Sequence, residues 1–565
     1  MSVCLTIFSK LLNTNILKKN NLFIYASILF FIYSVSVFGQ VTQDWVSRYN
    51  GPGSDMDWAF SVTVDGSGNV YVTGVSRSGT SSENGDYATI KYNSAGAQQW
   101  VARYNGPGNN TDWARSIKVD GSGNVYVTGY SYGSGTNKDY ATIKYNSAGV
   151  EQWVQRYNGP ANDLDEAYSL AVDGSGNVYV TGYSWGSGTE WDCVTIKYNS
   201  AGAQQWVQVY NGPANGGDYA YSIAVDASGN VYVTGGSIGS GTQEDYATIK
   251  YNSAGVEEWA QRYNGPANGR DEAYSIAVDG SGNVYVTGYS IGIGILEDYA
   301  TIKYNSVGVE EWVQRYNGPG NELDWAYSIA VDAPGNVYVT GHSLGNGSND
   351  DYATIKYNSA GAEEWVQRYN GPGNSIDRAY SIAVDASSNV YVTGRSFGSG
   401  SGRDYATLKY NSSGVEQWIQ RYNGQGGSYD DEAFSIAVDG SGSVYVTGGS
   451  VGNIITIDYA TIKYSQPIAI QPISTEIPKD FSLSQNYPNP FNPGTKIRFA
   501  LPKSSFAKLV IYDVIGSEVA TIVNERLKAG TYEADWSADK FTSGVYFYRL
   551  TTESYSQTMK MILVK

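Results

Sequence analysis

A tryptophan opens a W-V-x-R-Y-N-G-like segment at positions 45, 100, 153, 206, 259, 312, 365 and 418; after a first interval of 55 residues the period is 53 throughout. No other feature constrains the fold as strongly, because a unit repeated in this way buries its apolar faces against copies of itself. Each copy carries four strand-like pieces, in the third copy "EQWVQRY", "AYSLAVD", "NVYVTG" and "CVTIKY". All are short, β-branched or aromatic, and bounded by Gly, Asn, Asp or Pro. Four strands per unit of ~40–55 residues is the arithmetic of a propeller blade. The sequence therefore predicts an all-β chain with an eight-bladed β-propeller of four-stranded blades over residues 40–464.

The ends of the array predict how the ring closes. It begins on a Trp strand (Trp45 to Tyr49) and finishes on "DYATIKY" (Asp458 to Tyr464), so the last copy lacks a fourth strand that the first segment can supply. Closure of this kind removes free sheet edges.

The copies also differ in a patterned way. From the Asp ending one strand to the Gly ending "VYVTG" the spacing is nine in every copy, and from the Lys of "IKY" to the next Trp it is again nine. Length changes fall in the other two connections: Gly74 to Asp86 is twelve where other copies have ten, and Trp418 to Asp431 is thirteen where they have twelve. In an up-and-down sheet alternate connections share a side, so one face is constant and the other is the candidate binding surface. Ligand-binding candidates on the variable face are Trp58, Trp113, Tyr132, Trp185, Trp325 and Phe397, whose rings suit stacking on sugars or docking a protein, or else pack the loops together.

Asp57, Asp112, Asp165, Asp218, Asp271, Asp324, Asp377 and Asp431 precede the strand expected innermost, and form either an acidic ring at the channel mouth or local acceptors for loop N–H groups. "VDGSGN" resembles part of a calcium loop but lacks the further carboxylates such a site needs, and reads as a tight turn. No cofactor and no metal site is implied beyond that weak calcium possibility. The recurring Lys of "IKY" and Arg of "RYN" are expected to pair with the repeated Asp, although the fourth copy has Val209. Catalysis has thin support. The one histidine, His342, is placed in a loop, and no acid pair stands apart from the repeat. Net charge is −17, which argues against nucleic acid as a partner. The two cysteines, Cys4 and Cys193, leave no disulfide framework.

The pattern W…RYNG…D-x-A-x-S-I-A-V-D-x-S-G-N-V-Y-V-T-G…DYATIKYN…G resembles the bacterial β-propeller repeats known as SBBP repeats, from Trp45 to Tyr464. The resemblance implies a propeller and no settled activity. Residues 1–39, with Lys10, Lys18 and Lys19 ahead of an apolar run from Leu22 to Phe38, read as a signal peptide, with a signal-anchor helix as the alternative; no transmembrane span is expected in the mature protein. A Pro-bearing linker is expected at 465–480, followed at 481–565 by six or seven short strands in a small Ig-like β-sandwich. This tail, with Asn486, Pro488, Asn489, Pro490, Phe491 and Pro493 in its opening motif and Gly516 and Gly544 later, resembles the type A C-terminal sorting domain of type IX secretion. That resemblance implies handling by the type IX machinery, passage through the periplasm, and a product released or held at the cell surface. The expected function is non-catalytic binding or adhesion to a glycan or surface protein. The alternatives are a polysaccharide-active enzyme with carboxylates on the same face, or a structural surface-layer component.

Overall fold

The computed structural model describes residues 41–565 apart from 54–55, 78–84, 293–295, 348, 428, 453–455, 466–469, 475 and 539–540; the segment 1–39, expected to be a signal peptide, lies outside the described residues. Two units are formed, one from Val41 to Pro467 and a second beginning at Ile468.

The first unit contains eight four-stranded antiparallel sheets. Blade one runs outward from Asp57–Val64 through Val70–Arg77 and Gly85–Tyr92 to Gln98–Tyr104. Blades two to seven repeat this order from inner strands beginning at Trp113, Asp165, Asp218, Asp271, Asp324 and Arg378. Blade eight supplies Glu432–Val438, Val444–Val451 and Ile457–Ser465, and takes its outer strand from Thr42–Tyr49. Val46 lies opposite Ile462 in that closing ladder, as the offset of the repeat predicts.

The blades are held by their seams. In the second strand Val70, Tyr71 and Val72 are all fully buried, and each later copy of the segment packs in the same way. Gly74 is required there because a Cβ would collide with the Trp58 carbonyl of the inner strand. From the third strand a buried tyrosine reaches across to the next blade: Tyr87 Oη donates to the Ala141 carbonyl at 3.2 Å and Tyr299 Oη to that of Ala353 at 3.1 Å. Tyr459 of blade eight donates to Ala88 of blade one at 3.2 Å, so the last seam is made like the others. Blade three is the exception, with the buried free thiol of Cys193 in the tyrosine's place.

The inner strands have an edge with no fifth strand to pair. Serine hydroxyls from the preceding blade serve it: Leu170 N–H donates to Ser116 Oγ at 3.4 Å, Ile329 N–H to Ser275 Oγ at 3.3 Å, and Val62 N–H to Ser435 Oγ of blade eight at 3.2 Å.

The second unit is a two-sheet β domain. One sheet orders Ile470–Ser474, Gly530–Ser537, Gly494–Leu501 and Ser482–Leu483; the other orders Glu518–Leu527, Ser505–Tyr512, Gly544–Thr551 and Ser556–Leu563. Part of the expected linker is therefore structural, since Ile470–Ser474 pairs with Gly530–Ser537. Pro472 lies in an edge strand, the position in a sheet where a residue without an N–H is tolerated. The opening motif is anchored inward. Asn486 is buried and donates from Nδ2 to the Pro488 carbonyl and Thr495 Oγ1, Asn489 Oδ1 accepts from Ile562 N–H at 2.9 Å, and Phe491 packs on Trp536. Pro488 and Pro490 are exposed, Pro493 is half-buried, Gly516 turns the hairpin before Glu518 with φ 84°, and Gly544 begins its strand.

Removing Thr42–Tyr49 strips blade eight of its outer strand and leaves Ile457–Ser465 as an open edge. The shortened protein is expected to melt several degrees lower and to self-associate, measured by calorimetry and light scattering; an unchanged monomer with an unchanged melt would contradict this closure.

Candidate functional site

The eight aspartates before the inner strands do not ring the channel mouth. Asp57 is fully buried and accepts from Gly51 N–H at 2.6 Å and Arg77 N–H at 3.1 Å. Its counterparts Asp112, Asp165, Asp218, Asp271, Asp324, Asp377 and Asp431 are buried likewise, each accepting from the glycine of its own RYNG segment. The connection from one outer strand to the next inner strand needs an acceptor for its amides, and the carboxylate supplies it. In blades three, four and six the amides of Trp185, Ile238 and Leu344 turn to the carbonyls of Leu164, Gly217 and Leu323. Asp165, Asp218 and Asp324 thereby lose that second backbone donor, keeping the serines Ser184, Ser237 and Ser343 beside them, and burial pushes these three carboxyls up to about 6.

The calcium-loop resemblance also resolves into a turn. Asp65 Oδ1 accepts from Ser67 N–H and Asn69 N–H, and Oδ2 from Asn69 Nδ2 and Tyr71 Oη, all at 2.8–3.0 Å. Those bonds hold the carboxyl below its ordinary range despite partial burial, and they occupy the oxygens a cation would need.

On the variable-loop side, a bulge after Ala59, repeated in every inner strand, sets one residue outside the ladder. That residue is Phe60, Arg115, Tyr168, Tyr221, Tyr274, Tyr327, Tyr380 or Phe434. Their rings follow one another at 5.6–5.8 Å from Tyr168 through Phe434 to Phe60. Arg115 completes the circuit, its guanidinium 5.1 Å from the Tyr168 ring and 5.8 Å from that of Phe60.

Against this circuit the predicted ligand-binding residues divide. Trp58 and Trp113 share an open cavity of about 310 Å³ with Met56, Phe60, Val75, Arg77 and Phe434. The others are engaged elsewhere. Trp185 sits edge-on to Trp191 at 4.9 Å, while Trp325 stacks on Tyr289 at 4.7 Å and donates to Glu297 at 2.6 Å. Phe397 lies under Arg403, and Tyr132 is half-buried at the end of its strand.

Charged groups on this side are largely paired across blades, as in Lys138–Glu166, Arg378–Asp350 and Arg403–Glu432. Two acids do stand together, contrary to the sequence expectation. Glu244 and Glu272 are both bound by Arg270, and burial with Glu272's carboxyl beside it holds Glu244 well above the ordinary range. His342 lies in the strand Val337–Leu344, not in a loop; burial between Trp325 and Tyr327 lowers its pKa to about 4, so it is neutral at neutral pH. Arg115, where other inner strands carry Tyr or Phe, and Lys118, where they carry Thr63 or alanine, were each visible as a departure in its own repeat column. Among the described residues no group of three or more His, Cys, Asp or Glu side chains is arranged to hold a metal.

Fold and face together define an eight-bladed β-propeller followed in the chain by a two-sheet β domain. The family model described as a beta-propeller repeat matches residues 44–79, 99–135, 152–188, 205–241, 258–295, 311–347 and 364–399, and that of the secretion system C-terminal sorting domain matches 485–565. The chain is thus an SBBP-type β-propeller repeat protein ending in a type IX sorting domain, and its destination is secretion or the cell surface. No curated protein matches it. Among solved structures it is similar to PorZ, an essential surface component of the type IX secretion system of Porphyromonas gingivalis (15% identity over 89% of this chain and 74% of that one, TM-score 0.31). It is also similar to a fungal alcohol oxidase of the AA5 family in complex with copper (12%, 94% and 100%, TM-score 0.38) and to Drosophila Plexin A in complex with Semaphorin 1b (8%, 61% and 84%, TM-score 0.33). Likeness of this degree carries no conclusion about activity. No helix among the described residues is long and apolar enough to cross a membrane.

The raised carboxyls of Asp165, Asp218 and Asp324 give a signed pH dependence. Between about pH 4, the unfolded value, and 6 the folded protein holds more protons, so stability falls as pH rises through that window. Asp65 and its counterparts Asp120, Asp173 and Asp226, whose carboxyls lie low, withdraw their support only below about pH 4. The thermal midpoint is expected to be several degrees higher at pH 5 than at pH 7.5, and D165N/D218N/D324N should flatten that difference in calorimetry.

Proposed function

We propose that the propeller is a non-catalytic binding module. It receives an apolar or aromatic side chain of a surface protein in the Trp58–Trp113 cavity once the sorting domain has delivered it outside the cell. The observation carrying this reading is the cavity lining, in which Arg77 is the one charged residue among Met56, Trp58, Phe60, Val75, Trp113 and Phe434. A sugar would stack on these rings but find few partners for its hydroxyls, whereas an apolar anchor needs only burial. The paired state of the carboxylates on this side supports a binding role over hydrolysis, which requires one acid free to hold a proton and one free to attack or activate water. Glu244 and Glu272 are the residues an enzymatic reading must use.

The full-length protein is to be presented to panels of outer-surface proteins and polysaccharides, with product analysis in the same wells. W58A and W113A are each expected to weaken capture by about 2 kcal/mol, roughly thirtyfold in affinity. W185A and W325A, whose rings serve internal contacts, should change capture little. Shortened glycans that disappear in E272Q would favour the enzyme; indifference to every variant would favour a structural surface layer.

Delivery is tested separately. Deleting residues 481–565 is expected to leave the propeller inside the cell envelope, followed by surface proteolysis and fractionation of the medium.

A further inference from the structure

All eight blades build the same socket, and seven of them fill it with their own arginine. In blade one Arg103 donates from Nη1 to Tyr49 Oη at 3.2 Å and Ser76 Oγ at 2.6 Å, and from Nη2 to the Ser76 carbonyl and Asp86 Oδ2, both at 2.8 Å. Arg156 in blade two repeats all four bonds with Tyr104, Ser131 and Asp139 at 2.7–3.0 Å. Arg48, Arg262, Arg315, Arg368 and Arg421 hold the corresponding aspartates of the remaining blades. The socket is made by a second-strand serine, a third-strand aspartate and the outer-strand tyrosine of the preceding blade, and its geometry matches the planar fork of a guanidinium.

Blade three builds the same socket from Ser184, Asp192 and Tyr157, but its outer strand brings Val209. Val209 is 52% exposed and cannot reach it. Ser184 Oγ, 2% exposed, has no guanidinium to accept from and is left to Asp165 and Tyr157, and Asp192 has Thr189 Oγ1 at 2.9 Å and, among the described residues, no cation. Burial raises the Asp192 carboxyl, and burial followed by the nearby Asp165 and Asp192 carboxylates raises the Tyr157 hydroxyl. The route in is open, since the sister arginines of blades one and two keep 22–23% of their side chains in solvent.

We propose that the blade-three socket is a binding site for a guanidinium group supplied from outside the chain, the arginine side chain of a partner protein. The ligand class is fixed by the molecule itself, which shows seven times what this arrangement of oxygens holds. A lysine would satisfy the charge of Asp192 but could not bridge Ser184 and Tyr157 at once. The net charge of −17 favours approach by a cationic partner.

The full-length protein is titrated by calorimetry with ethylguanidinium, with ethylammonium, and with the capped tripeptide Gly-Arg-Gly. One saturable site per chain is expected for ethylguanidinium and the tripeptide, with ethylammonium weaker. V209R, which fills the socket from within, should weaken binding roughly tenfold or more and raise the thermal midpoint. D192N should weaken binding without filling the site. Absence of a saturable site in the parent protein, or equal binding by V209R, would overturn the proposal. Binding of ethylguanidinium but not of the tripeptide would overturn a side chain as its source.

Discussion

A four-stranded sheet with apolar residues on both faces is stable only between two neighbours, and the rest of the molecule follows from that seam. Tyr71 and Tyr87 of blade one both pack into the cluster of blade two, with Val125, Val127 and Ile143. A blade with no neighbour on one side would leave such a face in water, an unfavourable exposure of several aromatic and β-branched side chains. The ring removes both ends at once, and the strand Thr42–Tyr49 locks it by joining the first segment of the array to the last. The seam also explains why the repeat tolerates so little change in its second and third strands. Where it does change, at Cys193, a phenol that would bridge to the next blade is replaced by a group too short to do so.

Much of this was legible because period and strand spacing are properties of the backbone. Four strands per copy, the offset at the termini and the division into constant and variable connections all carry over into the structure. What could not be read was the direction of side chains. An aspartate in every loop is a pattern, but whether Asp57 faces the channel or its own Gly51 depends on where the loop amides point. The bulge after Ala59 was equally hidden, since an extra residue in a ladder leaves the spacing along the chain unchanged; that bulge brings Phe60 and its counterparts into one circuit. Exposed aromatic residues were grouped by loop position, yet Trp191 and Tyr289, set on neighbouring strands, take the rings of Trp185 and Trp325. Of the six, Trp58 and Trp113 remain together at one open cavity. In the tail, alternation identified the strands but not the added edge strand at Ile470–Ser474, where a proline masks the signal.

The two faces differ in what their polar atoms are free to do. On the constant face, Asp65 accepts four hydrogen bonds from its own turn and the strand that follows, and Asp120 and Asp173 do the same. Lys91 and Lys144 spend a donor on the Ser147 and Ser200 carbonyls of the following blade. Substitution there breaks a turn as well as changing a surface, so the turns stay alike. On the variable side the equivalent positions meet across blades, and their partners can change in pairs: Lys138 with Glu166, Arg378 with Asp350, and an indole with a carboxylate at Trp325 and Glu297. Such exchange alters shape, charge and polarity from one junction to the next. The junction around Trp58 and Trp113 is apolar, with Gly85 in the position that Lys138 or Asp350 occupies elsewhere. A glycine there removes both the charge and the bulk, which opens the cavity while the cross-blade scaffold beneath it stays intact.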